Sequence, residues 1–204
     1  MTHSDDSGLV LPPAVAPVQL VIIPIAQHKG NVLETAIGLK AQLSKLCRVK
    51  LDDSDNSAGW KFSEYEMKGV PLRLEIGPRD IENNQCVIVS RVDREKTVVP
   101  LDRLLETVPA LLKETHEKLY KKAEKNLSDR TFSADSAEDV AKLFQKQDVF
   151  VKTGWCGGGD CEETMREKAG VSSRCIPFDA GQHFEKCVCC GEDSKHTVVW
   201  GKAY

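Results

Sequence analysis

This chain of 204 residues has few aromatic residues, no long apolar run and no excess of positive charge. Aromatic residues make up only 6% of it. The longest apolar run, about 17–26, is too short to cross a bilayer and is interrupted by Gln19 and Pro24. Nonspecific binding to polyanions requires an excess of Lys and Arg, which the formal net charge of -3 excludes. We therefore expect neither a membrane nor DNA as a partner, although a specific nucleic-acid site remains compatible with this charge.

The N-terminus also lacks the features of a secretory signal. MTHSDDSG is polar and acidic, whereas a signal peptide begins with basic residues followed by an apolar stretch. We therefore expect a cytoplasmic protein, in which thiols are kept reduced. The eight cysteines are then interpreted as metal ligands or buried residues rather than as disulfides.

Strand and helix patterns alternate in the first half of the chain. The apolar segment from Val15 predicts a buried strand, and the helix after it begins at Asn31, which is spaced from Glu34 like a capping box, and continues to Leu46. The following segments predict a strand over 47–53, a helix over 59–68 and a strand over 70–77. A GPRD turn over 77–80 then leads to two further strands, 85–92 and 96–101. These elements predict an α/β fold with a mixed five-stranded sheet flanked by helices and complete near residue 101.

The second half of the chain predicts a smaller α/β domain. We expect a first domain over 15–101, a connecting helix over 102–130 with Pro109 in the first turn of a helix, and a second domain over 131–204. Within the second domain, the pattern predicts a helix from Ser136 to Gln147 with a serine cap. A strand is expected directly after that helix, in DVFVKTGW.

Six of the eight cysteines lie at or beyond Cys156. Two close pairs, Cys156-x4-Cys161 in a loop and Cys187-x2-Cys190, have the spacing of a tetrahedral four-thiolate site, which is typical of structural Zn²⁺. Cys189 is an alternative to Cys190, because the sequence does not show which sulfur points inward. A metal-free interpretation, with buried or redox-active cysteines, stays open. The remaining cysteines lie on apolar, strand-like segments and are predicted to be core residues: Cys47, Cys86 and Cys175.

The stretch GWKFSEYEMKGVPLRLEIGPRD combines an aromatic ring, carboxylates and two guanidinium groups. Phe62 and Glu66 share a stripe of the predicted helix, Arg73 and Glu75 share one face of the next strand, and Arg79 follows in the turn. A ring stacks on an unstacked base, a carboxylate accepts the N–H groups of guanine, and a guanidinium donates to O6, N7 or phosphate. A solvated salt-bridge face with Phe62 packed inward explains the same residues, and periodicity does not decide between the two.

Four segments together resemble the C-terminal part of prolyl-tRNA synthetase of the archaeal/eukaryotic type: HSDDSGLVLPPAVAPVQLVIIPI, DDSDNSAGWKFSEYEMKGVPLRLEIGPRD, CIPF, and KCVCCG to WGKAY. The resemblance implies a class II anticodon-binding domain followed by a small α/β zinc-binding domain. It implies that the two guanines of the proline anticodon are recognised by Phe62, Glu66, Arg73 and Arg79. It also implies that Tyr204 carries a terminal carboxylate that reaches toward the active site.

The same resemblance sets expectations about catalysis. MTHSDDSGL is similar to the stretch just after the third class II signature motif, with Ser4 in place of the usual glycine, so 1–14 are interpreted as the end of an otherwise absent catalytic domain. The complete enzyme joins proline to tRNA(Pro) through prolyl-adenylate, using ATP and Mg²⁺. We expect tRNA(Pro) and the catalytic domain as partners, and no activity from this chain alone. The alternative is a free-standing, non-catalytic tRNA- or protein-interaction module.

Overall fold

The computed structural model describes residues 3–179, 181 and 183–202, which form two compact units with a boundary between Lys122 and Ala123. Each unit has its own sheet and its own apolar core. No helix within the described ranges is long and apolar enough to span a membrane. Tyr204 lies outside the described residues, so the expectation for its carboxylate stays a prediction.

The elements of the first unit follow the predicted alternation of strands and helices. They are β1 Ser4–Asp5, β2 Gly8–Leu9, β3 Leu20–Pro24, α1 Val32–Leu43, β4 Val49–Leu51, α2 Ala58–Met67, β5 Leu72–Ile76, α3 Pro78–Glu82, β6 Gln85–Ser90, β7 Lys96–Pro100 and α4 Leu104–Asp129, which continues past the unit boundary. The main sheet has the order β4-β3-β5-β6-β7, with β3 parallel to β4 and β5, and β6 antiparallel to β5 and β7. This confirms the predicted mixed sheet of five strands.

Both faces of the five-stranded sheet are covered by apolar side chains. Leu72, Leu74 and Ile76 of β5 are fully buried and pack with residues of α1 and α4 in one cluster. On the opposite face, Val21 and Ile23 of β3 pack against α2. Because side chains of a strand alternate between faces, the polar residues between the buried ones on β5 must lie on the α2 side.

The N-terminal hairpin of β1 and β2 packs on the C-terminal end of α2 through close backbone contacts. A β-carbon on Gly8, whose φ is +127°, would lie 2.5 Å from the Met67 Cα. One on Gly69, whose φ is +70°, would lie 2.7 Å from the Leu9 carbonyl carbon. Only glycine satisfies both the positive φ and the close contact, so these two glycines allow the hairpin to pack directly on the helix.

The second unit has a four-stranded sheet with its own buried core. Its elements are β8 Thr131–Ser133, α5 Ala137–Lys146, β9 Phe150–Trp155, α6 Gly159–Ala169, β10 Ser172–Cys175 and β11 His196–Gly201. The strand order is β10-β11-β9-β8. Phe144 of α5 and Met165 of α6 pack with Trp200, which is fully buried and donates its indole N–H to Thr153 Oγ1 at 2.8 Å. As predicted, Ser136 caps α5, because its hydroxyl accepts from the backbone N–H of Asp139.

Three predictions about local structure are wrong. GPRD does not form a simple turn, because the backbone N–H of Gly77 donates to the Asp80 carboxylate and this cap starts α3. Pro109 lies inside α4 rather than in a first turn, because the helix has already begun at Leu104. The side chain of Asn31 makes no capping bond to α1.

The strand predicted from Val15 begins only at Leu20, because the residues before it form turns in which the N–H groups of Val15 and Ala16 both donate to the Pro12 carbonyl. The predicted helix after it ends at Leu43 rather than at Leu46. Its last carbonyls are bonded by the turn that leads to β4.

Candidate nucleic-acid interface and metal centre

Arg73 is held on the α2 side of the sheet by a carboxylate and a ring. Its Nε donates to Glu75 Oε1 at 2.8 Å, and its Nη2 lies 2.8 Å from the same oxygen. The guanidinium carbon lies 4.1 Å from the centroid of the Phe62 ring, within the range of a cation–π contact. Both members of the ion pair have side chains that are 16% exposed, so the guanidinium is ordered but still reaches solvent.

Of the two interpretations that the sequence left open for Phe62, its position is closer to the packed ring than to an open stacking plate. Its ring is covered by Arg73, and the half-buried residue packs against the cluster of Val21, Ile23, Tyr65 and Val70. Phe62 and Glu66 do share a stripe of α2, but the aromatic ring packs against a guanidinium instead of presenting a free face to a base.

Glu66 lies near the C-terminal end of α2 and forms an ion pair that the sequence did not predict. Its Oε1 is 2.6 Å from Nη2 of Arg94, in the turn between β6 and β7. The same Nη2 donates to Ser7 Oγ at 2.5 Å. The Arg94 side chain is 63% exposed and that of Glu66 is 26% exposed. The Glu66 side chain is thus partly exposed, while its Oε1 is buried and lies in an ion pair with Arg94.

Arg91 connects three segments beneath this pair and is itself only 5% exposed. Its Nε donates to the Glu66 backbone carbonyl at 2.9 Å, while Nη1 and Nη2 donate to the two carboxylate oxygens of Asp5 at 2.9 and 2.6 Å. These hydrogen bonds hold the pKa of Asp5 well below its usual range. Because Asp5 and Arg91 are 86 positions apart, no local pattern in the sequence indicates the pair.

A cleft of about 170 Å³ lies on this surface. Four cationic side chains and one carboxylate line it: Arg73, Arg91, Arg94, Lys96 and Glu66. Such a set offers donors to an anion or to carbonyl oxygens and one strong acceptor to N–H groups, which is the combination that a guanine edge and a phosphate require.

Arg79 lies apart from the cleft-lining set. It occupies the first turn of α3 and is exposed. Within the part of the chain that the structure describes, its guanidinium makes no ion pair and no side-chain hydrogen bond. Its five N–H donors therefore face solvent.

The four predicted metal ligands lie together in the second unit. The sulfur atoms of Cys156, Cys161, Cys187 and Cys190 are all within 4.8 Å of one another. The Gly158 backbone N–H donates to Cys156 Sγ at 3.4 Å. Cys161 lies in the first turn of α6 rather than in the predicted loop, because the chain enters a helix at Gly159.

Cys189 is outside the sulfur cluster. Its thiol donates to the carbonyl oxygen of Cys161 at 3.2 Å, and burial raises its pKa to about 11. The sulfur of Cys190 belongs to the cluster although the residue is exposed, which favours Cys190 over Cys189 as the fourth ligand. The following residue, Gly191, has a φ of +74°, and its N–H donates to the Cys187 carbonyl.

The electrostatics of the cluster favour a bound cation. Burial raises the pKa of Cys187, but the backbone N–H groups of Cys190, Cys189 and Cys156 outweigh it and lower the pKa to about 7. At Cys161, burial and the neighbouring sulfur of Cys156 raise the pKa. Four thiolates at this separation repel one another, and a divalent ion removes that repulsion. The donor set therefore fits a tetrahedral, thiophilic metal ion.

The other cysteines follow the core prediction only in part. Cys86 is fully buried, and burial raises its pKa to about 12. Cys47 is half-buried and packs against the core of the first unit. Cys175 is exposed, contrary to the prediction, because β10 is an edge strand of its sheet.

Comparison with known proteins gives two family matches. Residues 19–111 match the family described as an anticodon binding domain, and residues 137–204 match the C-terminal domain of prolyl-tRNA synthetase. Proline--tRNA ligase 2 of Bacillus cereus is 52% identical over 204 residues, which is 100% of this chain and 43% of the relative. Proline--tRNA ligase of Ruminiclostridium cellulolyticum is 53% identical, with the same coverage of 100% and 43%.

A solved structure is also similar over the whole chain. The crystal structure of prolyl-tRNA synthetase from Cryptosporidium parvum, complexed with halofuginone and AMPPNP, gives a TM-score of 0.94 at 34% identity, covering 100% of this chain and 44% of that one. The fold and the first family match define an anticodon-binding domain. Together with the second match, they show that the chain belongs to the prolyl-tRNA synthetase family and carries its anticodon-binding and C-terminal domains. It spans 43% of the length of the curated relatives.

Proposed function

We propose that this chain binds the anticodon of tRNA(Pro) and recognises its two guanines through Glu66, Arg73 and Arg79. The observation that carries the proposal is the ordered guanidinium of Arg73, which Phe62 and Glu75 fix at the surface of a domain that belongs to an anticodon-binding family. A guanidinium in a fixed orientation discriminates bases, because its planar donors match O6 and N7 of guanine.

Each residue has a distinct role in this proposal. Glu66 accepts from the N–H groups of a guanine Watson–Crick edge. The Nη1 of Arg73, which makes no hydrogen bond within the described residues, donates to a base oxygen or nitrogen. Arg79 supplies a second guanidinium from α3, whose donors face solvent. Phe62 acts through Arg73 and positions it.

The four-cysteine cluster is proposed to hold Zn²⁺ in a structural role. All four positions of a tetrahedron are filled by protein sulfur, so no position is left for water or substrate. The metal would stabilise the second unit and take no part in chemistry on a substrate.

The chain is proposed to act within a proline-tRNA ligase in the cytoplasm. In such an enzyme, a catalytic domain activates proline with ATP and Mg²⁺ and transfers it to the tRNA that this chain selects. The selection step is the contribution of the residues described above.

Titration of the chain with a proline anticodon stem-loop, and with one in which both anticodon guanines are replaced by adenine, tests the recognition. We expect Arg73→Ala to weaken binding to the guanine-containing loop by about 1–3 kcal/mol and to leave the adenine loop unaffected. Arg73→Lys keeps the charge but loses the planar fork, so it should show most of the same loss. Arg103→Gln, at an exposed arginine outside the cleft, is the matched charge control. Equal binding of the two loops by the unmodified chain would refute base recognition.

A further inference from the structure

The ion pair between Arg94 and Glu66 occupies the acceptor that guanine recognition needs. Nη2 of Arg94 lies 2.6 Å from Glu66 Oε1. A guanidinium presents adjacent, coplanar N–H groups, as the N1–H and N2–H groups of guanine do. In the free protein, therefore, a cationic side chain lies against the carboxylate oxygen that the base would need.

Arg94 is bound loosely enough to leave that position. Its side chain is 63% exposed, and ion pairs with such an exposed partner contribute little to stability. Its side chain also donates to Ser7 Oγ. Its backbone has a φ of +60°, which projects the side chain from the tip of the β6–β7 turn.

Arg91 provides the contrast within the same cleft. It is 5% exposed and all three of its guanidinium nitrogens donate to fixed acceptors, the Glu66 carbonyl and the Asp5 carboxylate. Moving it would remove the hydrogen bonds that the Glu66 carbonyl and the Asp5 carboxylate accept from it. The Glu66 backbone is thus anchored by one arginine while its carboxylate is held by another that can move.

We propose that Arg94 pairs with the Glu66 carboxylate in the free protein, and that a guanine displaces it so that its guanidinium moves onto a phosphate of the bound RNA. This proposal rests on the proposed role of Glu66 in guanine recognition. Arg94 is then a positioning residue in the free state and an electrostatic contact in the complex. Its charge contributes to affinity without reading the base.

Two readouts of binding separate these roles. A phosphate contact in a single-stranded loop contributes about 0.7 to the slope of log affinity against log salt concentration. Inosine lacks the exocyclic amino group of guanine, so the ratio of guanine to inosine affinity reports the acceptor at Glu66. The experiment measures both quantities for the full chain with a proline anticodon stem-loop and its inosine-substituted form.

For the unmodified chain we expect guanine to bind about fivefold or more tightly than inosine. Arg94→Asn keeps the left-handed backbone conformation, because asparagine tolerates positive φ, and it should lower the salt slope by about 0.7 while keeping the guanine-to-inosine ratio within about twofold. Glu66→Gln should show the reverse, a ratio near one with an unchanged slope. Arg103→Gln, which removes one exposed charge elsewhere, should change neither.

Each other result is decisive. An unchanged slope in Arg94→Asn shows that Arg94 does not reach phosphate and overturns the proposal. A ratio that collapses in Arg94→Asn shows a fixed partner of Glu66 and also overturns it. If the unmodified chain itself fails to separate guanine from inosine, the role of Glu66 fails, and the displacement fails with it. Normal discrimination combined with an unchanged slope leaves the anticodon function intact while the role of Arg94 is rejected.

Discussion

The two units of the chain reach a folded state by different means. In the first, a five-stranded sheet is buried on both faces between helices, with Leu74 and Ile88 among its fully or almost fully buried residues. In the second, a smaller four-stranded sheet is joined to a cluster of four cysteine sulfurs within 4.8 Å. A small unit buries a lower fraction of its surface and gains proportionally more from a metal. Apolar packing supports the proposed recognition surface, whereas we propose that metal-bound thiolates add to the apolar core of the second unit.

Metal removal should give the largest difference between the units. Structural zinc sites contribute apparent binding free energies of about 10–16 kcal/mol in small peptides, which is comparable to or greater than the whole stability of a small domain. Cys187→Ser should therefore abolish zinc binding and unfold the second unit, whereas the first unit stays folded. Elemental analysis checks the metal. Tryptophan emission checks the fold in a Trp60→Phe background, in which the remaining tryptophans, Trp155 and the fully buried Trp200, both belong to the second unit.

Cys175→Ser is the matched control for that experiment. Its thiol is exposed and outside the sulfur cluster, so zinc content and tryptophan emission should match those of the unmodified chain. A Cys187→Ser protein that keeps one zinc per chain would show that the cluster is not the metal centre.

A core substitution in the first unit should reverse the pattern at an intermediate size. Leu74→Ala removes a fully buried side chain from the middle of β5 and should cost about 2–5 kcal/mol, because the sheet cannot close over the cavity. Val98→Ala, at a residue that is 58% exposed, should stay within about 0.5 kcal/mol. Urea unfolding followed by circular dichroism measures both, with the emission of Trp200 as the report on the second unit.

If Leu74→Ala and Val98→Ala lower the midpoint equally, the apolar face does not dominate the stability of the first unit. If Leu74→Ala also shifts the transition reported by Trp200 by the same amount, the two units unfold as one.

Loss of the Asp5–Arg91 ion pair in the first unit should produce the smallest effect. Arg91 lowers the pKa of Asp5 in the folded protein, so the pair stabilises the fold fully above the unfolded pKa of about 3.9, and this stabilisation is lost as the pH falls below that value. The Asp5 side chain is 40% exposed, so Asp5→Asn should cost no more than about 1 kcal/mol at pH 7. The difference should shrink below pH 4, as measured by thermal unfolding.

A deficit of Asp5→Asn that remains constant between pH 7 and pH 2.5 would mean that the ionised carboxylate is not its source. Asp193→Asn is a control from the second unit, because the Asp193–Lys186 pair is at the surface and should contribute very little at any pH.

Local patterns explain how much of this molecule is predictable from its sequence. Leu72, Leu74 and Ile76 recur at every second position, and this period alone fixes their burial and sets Arg73 beside Glu75. The spacing of the cysteine pairs likewise predicts the set that meets in space. Where the periodicity or the spacing is short-range, the prediction succeeds.

Long-range contacts explain what the sequence did not reveal. Nothing near Arg94 or Arg91 indicates that the β6–β7 turn meets Glu66 and the N-terminal hairpin, since the contact between Arg91 and Asp5 joins positions 86 apart. The choice of Cys190 over Cys189 depends on the path of a tight turn, which residue types alone do not determine. The sequence left open whether Phe62 packs inward or presents a free ring, because a helical stripe does not show what covers it.

The stacking of Arg73 on Phe62 has a consequence for the strength of RNA binding. Immobilising a long, flexible side chain at an interface costs about 0.5–1.5 kcal/mol in lost rotational freedom. Here the ring and the Glu75 carboxylate restrict the guanidinium before any nucleotide arrives, so that entropic penalty is incurred when the chain folds. An anticodon would bind to a guanidinium whose orientation is already restricted, and the anticodon loop of the RNA would be the component that has to become ordered.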